Sequence, residues 1–271
     1  MSRIDLKQIT ESTDNYNFHS HTQFCDGRAT MQQIVESAID AGFEHWGFSP
    51  HSPVPIESTC NMTRSATYEY LSEIDRLRDL YGKRIKIYAS MEVDYLGDGW
   101  GAHCDYFKEL NLDYLISSVH FVRAKDGTWV DIDGKPESFR KKMAVYFNND
   151  IRRVVEEFFD QSMSMIEHGG FDIIGHIDKI GNNASDFAPG IEEKNWYISM
   201  RDSLVDSAID SGLLVEYNTK AMRPSETVLR RLIDSNVVIP VNSDAHTTDK
   251  VNLLRPETIR HIAELRSSTC C

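Results

Sequence analysis

Three observations predict an α/β chain built on parallel strands, with closure into a (β/α) barrel favoured over an open sheet. Short, mostly apolar runs alternate with segments of helical periodicity, the pattern of repeated βα units. Glycines stand where the helices should stop. Histidines and acids follow almost every apolar run, whereas an open sheet gathers its functional residues at one switch point.

Seven runs read as buried strands: residues 16–19, 45–49, 85–91, 114–119, 171–174, 213–217 and 237–241. After the first run, Met31, Ile34, Val35, Ala38 and Ile39 recur at helical spacing, and Gly42 ends the pattern. Tyr70, Leu71, Ile74 and Leu77 form a second such stripe before Gly82, and Val228, Leu229, Leu232 and Ile233 a later one, with Gly212 a further stop signal. Between the fourth and fifth runs the rhythm changes. Asp126-Gly127 and Asp133-Gly134 are turn signals flanking Thr128-Trp129-Val130-Asp131, which predicts a hairpin insertion near residues 121–136. A long helical stretch, 136–167, then leads to the fifth run. Neither an internal repeat nor a linker interrupts the chain, so residues 1–271 are expected to form a single domain.

The composition, 41% hydrophobic over 271 residues, supplies one substantial core. Acidic residues outnumber basic ones 42 to 29, a net charge of −13, which argues against nucleic acid or an anionic membrane as partner. No apolar run approaches the roughly 18 residues a membrane span needs, and Met1-Ser2-Arg3-Ile4-Asp5 lacks the apolar core of a signal peptide, so a cytoplasmic location is expected. Cys25, Cys60, Cys104, Cys270 and Cys271 show neither zinc-ribbon nor disulfide spacing and read as free thiols.

The chemistry lies at the ends of the runs. His19 and His21 follow the first and can point the same way, although this pair alone is a weak signal. Recurrence strengthens it: His51 follows the second run, Glu92 the third, His120 the fourth, His176 the fifth, and Asp244 with His246 the seventh. Each of these taken singly also fits a structural histidine or acid. Asp26 is a further ligand candidate, with helix N-capping as its alternative. His45, His103, His168 and His261 read as surface or packing residues. So many imidazoles and carboxylates exceed the needs of one ion and suit two or three divalent ions of zinc, iron or manganese, with Glu92 able to bridge. Clustered metals point to a metal-dependent hydrolase acting on a phosphoester or an amide. No P-loop, GxGxxG or GxSxG motif supports another chemistry. Arg64, Lys179, Lys220 and Arg223 are the isolated cations available to hold a phosphate, with Arg223, after the sixth run, the foremost; a solvated surface charge is the alternative for each and the favoured one for the other three.

Taken jointly, His19-Ser20-His21-Thr22 with Asp26-Gly27, Ser49-Pro50-His51, Met91-Glu92, Ser118-Val119-His120, Gly175-His176 and Ser243-Asp244-Ala245-His246 resemble the PHP (polymerase and histidinol phosphatase) superfamily over about residues 16–247. Within it, Val119-His120-Phe121, Trp129–Gly134, Gly175-His176-Ile177-Asp178 and Tyr217-Asn218-Thr219 leading to Met222-Arg223 are most similar to the histidinol-phosphate phosphatase family. The resemblance implies a distorted seven-stranded (β/α) barrel and a trinuclear site. One ion would be held by His19, His21, Glu92 and Asp244, a second by Glu92, His120 and His176, and a third by Asp26, His51 and His246. The expected reaction is hydrolysis of a small phosphorylated substrate, with Glu92 as bridging ligand, Arg223 as phosphate clamp, and His246 or His51, or else a metal-bound water, protonating the leaving group. Arg64 and Lys179 are secondary phosphate contacts, and Asp94, Asp98 or Asp178 are expected to meet a cationic group of the substrate. Pro50 stands where an acid is common in the superfamily, and the segment after Arg223 is short. A sister phosphoesterase acting on a nucleotide, phosphodiester or phosphotyrosine is the alternative activity, and a non-catalytic metal-binding protein the alternative class.

Overall fold

The structure, a computed structural model, describes residues 4–269; Cys270 and Cys271 lie outside the described residues. Cys25, Cys60 and Cys104 are free thiols. The strands in chain order are β1 (Tyr16–Asn17), β2 (His45–Phe48), β3 (Lys86–Ala89), β4 (Glu92–Asp94), β5 (Ile116–Ser118), β6 (Phe121–Arg123), β7 (Trp129–Asp131), β8 (Ile173–Ile174), β9 (Leu214–Val215), β10 (Tyr217–Asn218) and β11 (Val241–Asn242). Helices connect them to give an α/β fold. Three parallel sheets result, β1-β2-β3, β4-β5-β8-β9 and β10-β11, beside the antiparallel hairpin β6-β7.

Each expected run contains a strand, but pairing is shorter than the apolar pattern. The third run holds β3, which stops before Ser90 and Met91, and β4 follows just beyond the run. There the buried Tyr70 hydroxyl lies 2.9 Å from the Phe48 carbonyl and 2.8 Å from that of Ser90, beside the backbone bond from the Ser90 N–H to the Phe48 carbonyl. The sixth run splits into β9 and β10 at Glu216, where the chain leaves β8 and joins β11. In the seventh, only Val241 continues into a strand; Pro240, just before it, has no N–H to donate.

The helical stripes pack as their spacing demands. Met31–Asp40 opens with a Thr30/Gln33 capping box and buries Met31, Ile34, Val35 and Ala38. Arg64–Tyr81 buries Tyr70, Ile74 and Leu77, and Glu226–Asp234 buries Val228, Leu229, Leu232 and Ile233. The expected single helix over 136–167 is two, Pro136–Tyr146 and Ile151–His168. Asn148 and Asn149, with φ of 50° and 60°, turn the chain between them, and Asp150 caps the second.

A cluster of Tyr16, Phe18, Tyr88, Tyr114, Ile116 and Ile173 precedes the polar strand ends in sequence. Gly47 makes this packing possible, since a Cβ there would lie 1.8 Å from the Tyr114 hydroxyl. The polar residues that follow, His19, His120 and His176 among them, are thereby held at the C-terminal ends of the strands. Among the described residues no helix is long and apolar enough to cross a membrane.

Candidate metal centre

Glu92, at the start of β4 and 1% exposed, is the hub. Its Oε2 lies 3.3 Å from His19 Nε2, 3.6 Å from His21 Nε2 and 3.2 Å from His51 Nδ1. Its Oε1 lies 3.4 Å from His120 Nε2 and 3.0 Å from His176 Nε2. Asp244 Oδ1 is 3.1 Å from His21 Nε2, and Asp26 reaches both His21 Nδ1 (3.3 Å) and His246 Nε2 (3.2 Å). All nine expected ligands are thus brought together, in overlapping groups whose donor atoms lie within 4.8 Å of one another, His19-His21-Asp244, His21-Asp26-His246 and Glu92-His120-His176 among them.

The donor chemistry fits divalent cations. His120 Nε2 faces His176 Nε2 at 3.1 Å and His21 Nε2 faces His19 Nε2 at 3.3 Å, so lone pairs converge on points that a cation satisfies. Asp26 Oδ1 and His51 Nδ1 are buried without a hydrogen-bond partner among the described residues. Burial opposes the charge on Glu92, but His19, His120 and His51 overcome it and hold its carboxyl well below the usual range. Burial likewise disfavours charge on His19, yet Glu216 and Glu92 raise its pKa to about 10. Two of the expected ligands adopt positive φ, Asp244 at 50° and His176 at 21°, a strain that the surrounding structure must sustain.

The cluster opens into a cavity of about 890 Å³. The hairpin insertion and its exit turn contribute Phe121, Trp129, Asp131 and Asp133 to the wall, and the cations in it are Lys135, Lys142, Lys179 and Lys220. Lys179 donates to Asp133 at 2.5 Å; Lys220 Nζ is 3.4 Å from Asp244 Oδ1 and 3.2 Å from His246 Nε2.

Several expected substrate contacts lie elsewhere. Arg223 is absent from the cavity wall, because its guanidinium donates to Asn182, Asp178 and Glu192 and is buried among them. Asp178 is buried against the same arginine and the Ser225 N–H, so it too is withheld. Arg64 stacks over Trp100 and Tyr106, at 5.3 and 5.0 Å from the ring centroids. Asp98 is an exposed partner of His168 outside the cavity. Asp94 does line it, but its oxygens accept from His120 Nδ1 (2.7 Å) and Asn61 Nδ2 (2.6 Å). His45, His103, His168 and His261 are absent from the wall, as expected. The residue that sequence reasoning overlooked is Glu216, wholly buried, 2.8 Å from His19 Nδ1; its signal was an acid inside an otherwise apolar run.

These features define an α/β protein with histidine- and carboxylate-built metal-binding clusters at the C-terminal ends of its parallel strands. The chain belongs to the PHP domain family, whose profile matches residues 17–220. It is 25% identical over 260 residues to a probable histidinol-phosphatase of Schizosaccharomyces pombe, covering 87% of this chain and 81% of the relative. A probable histidinol-phosphatase of Deinococcus radiodurans is 24% identical over 267 residues, covering 93% and 94% of the two chains. Among solved structures, histidinol phosphate phosphatase from Lactococcus lactis, complexed with zinc, L-histidinol and phosphate, superposes with a TM-score of 0.69 at 17% identity, covering 93% of this chain and 94% of that one.

Proposed function

We propose that this chain is a metal-dependent phosphomonoester hydrolase that converts L-histidinol phosphate and water to L-histidinol and phosphate, a step of histidine biosynthesis. The observation that carries the hydrolase reading is Glu92 shared among five imidazoles beside a cavity that also holds lysines. Support for the substrate comes from the two relatives, which match along most of their length.

His19, His21, Glu92 and Asp244 would hold one ion, Glu92, His120 and His176 a second, and Asp26, His51 and His246 a third, with zinc favoured over iron or manganese. Divalent ions there would supply Lewis acidity to phosphoryl oxygens and acidify water. Lys179 and Lys220 bring ammonium groups to the cavity and take over the phosphate-binding role first expected of Arg223. His246 and His51, 18% and 13% exposed, sit at the accessible side of the cluster, where a leaving group would depart. Glu57 and Asp131 line the same cavity and can meet a cationic substrate group.

Residues 1–271 are read as one domain, and the three parallel sheets as sectors of a distorted seven-stranded barrel. Parallel bridges His51↔Glu92 and Ser20↔Ala245 support that reading, because they would join the sectors.

The test is phosphate release by metal-reconstituted protein from L-histidinol phosphate, beside p-nitrophenyl phosphate, a nucleoside monophosphate, a phosphodiester and a phosphotyrosine peptide, with a chelator control. Turnover of L-histidinol phosphate far above the others, abolished by chelation, is expected. Preference for another ester would overturn the substrate, and chelator-resistant turnover would overturn the metal centre.

A further inference from the structure

Glu216 occupies a position that no ligand role explains. It is 0% exposed, and among the described residues no lysine or arginine pairs with it. A buried carboxylate of this kind must be hydrogen-bonded and must find a counter-charge. Its Oε1 accepts from His19 Nδ1 at 2.8 Å, and its Oε2 accepts from the His176 backbone N–H at 3.2 Å. It stands between β9, which pairs with β8, and β10, which pairs with β11, so one side chain touches ligand-bearing segments that follow the first and fifth runs.

We infer that Glu216 is a positioning residue: it fixes the His19 tautomer with the proton on Nδ1, leaving Nε2 free for a metal, and ties that ring to the backbone of His176. The geometry makes the two tasks inseparable. Nε2 of His19 lies 3.3 Å from both Glu92 Oε2 and His21 Nε2, so turning the ring would remove a donor from the centre. His176 holds φ at 21°, and the carboxylate secures the N–H of that residue. A glutamine has one acceptor oxygen where the structure uses two, so Glu216→Gln cannot serve both partners. The inference rests on the metal reading of His19 and His176, not on the identity of the substrate. An outer carboxylate on a ligating histidine is generally worth about 10- to 100-fold in metal affinity.

The test is zinc competition between the protein and a chromophoric chelator, for wild type and Glu216→Gln, with thermal melts of both metal-free proteins and visible spectra of both cobalt-loaded ones. Expected are similar metal-free melts, zinc affinity weaker by about 10- to 100-fold in the variant, and an altered cobalt spectrum. Wild type that binds zinc alongside a variant with affinity within about threefold and an identical spectrum would overturn the positioning role alone. Wild type that fails to bind zinc would overturn the metal reading beneath it. Should the variant not fold, ¹⁵N-histidine spectra of zinc-loaded wild type, assigned with His19→Asn, decide: protonated Nδ1 on His19 supports the inference and protonated Nε2 overturns it.

Discussion

Replacing Arg223 with methionine should cost stability and leave substrate affinity nearly intact, the reverse of what a phosphate clamp would do. Arg223 Nη1 lies 3.2 Å from Asp178 Oδ2 and 3.1 Å from Glu192 Oε2, with the side chain 8% exposed. Methionine fills the volume of the stem but leaves Asp178, 1% exposed, with only the Ser225 N–H among the described residues to meet its charge. Breaking a buried ion pair by removing one partner costs about 3–5 kcal/mol. A chain of this size loses roughly 2–4 °C of Tm per kcal/mol, so the melt should fall by about 6–20 °C. Circular dichroism melts give the stability, and initial rates well below the transition give KM and kcat. We expect KM to stay within about threefold, since no charge-assisted hydrogen bond to substrate, worth about 1.5–3 kcal/mol, is lost. A KM raised more than about tenfold with an unshifted melt would refute the reasoning and return Arg223 to the phosphate.

The same knot sets an acid response. Burial opposes the charge on Glu192, but Arg223 outweighs it and lowers the Glu192 pKa from its ordinary 4.5. A depressed folded value means that this stabilisation is complete above pH 4.5 and lost as pH falls through the folded pKa, so Arg223→Met should flatten the fall in Tm below pH 4.5; a parallel fall in both proteins would sink the assignment. Lys179→Met and Lys220→Met each remove an ammonium from the cavity and should lower kcat/KM by about 10- to 150-fold, with unchanged kinetics in both excluding them from phosphate binding. Glu92→Gln should lose more than about tenfold activity together with bound metal measured by elemental analysis, and full activity with full metal content would remove Glu92 from the centre.

The residues of the cluster were legible because their signal is local and repeats: most of these histidines and acids stand at or just past the end of an apolar run. Arg223 misled because its partners Asp178 and Glu192 are 45 and 31 residues away, and nothing near an arginine in sequence says that it is already engaged. Glu216 stayed hidden for a related reason. An acid within an apolar run reads as noise until the fold shows His19 across from it, 197 residues distant. The helix Asn195–Ser211 escaped notice because its buried face includes Arg201 beside Tyr197, Leu204, Val205 and Ala208, which blurs the apolar period. Asn148 and Asn149 broke the long helix because asparagine accepts the left-handed conformation cheaply, a local signal that the continuous helical pattern outweighed.

The seam between the first and last runs is made by side chains where a backbone ladder would otherwise run. Asn242 Oδ1 accepts from the Phe18 N–H at 2.8 Å, and Asn17 Oδ1 accepts from the Ser243 N–H at 2.7 Å, across 224 and 226 residues. Side-chain amides therefore meet backbone groups that a continuous ladder between β1 and β11 would pair. An asparagine bridge holds two strands together while allowing them to splay farther than a backbone ladder does. Just beyond it the backbones meet again, where the His21 N–H donates to the Ala245 carbonyl at 2.8 Å. His19, His21 and Asp244 all lie within this short stretch, so the seam is also a wall of the candidate metal centre. Its polarity is consequently a requirement of the site: an apolar pair at positions 17 and 242 would leave the N–H groups of Phe18 and Ser243 buried and unpaired beside the donors they position.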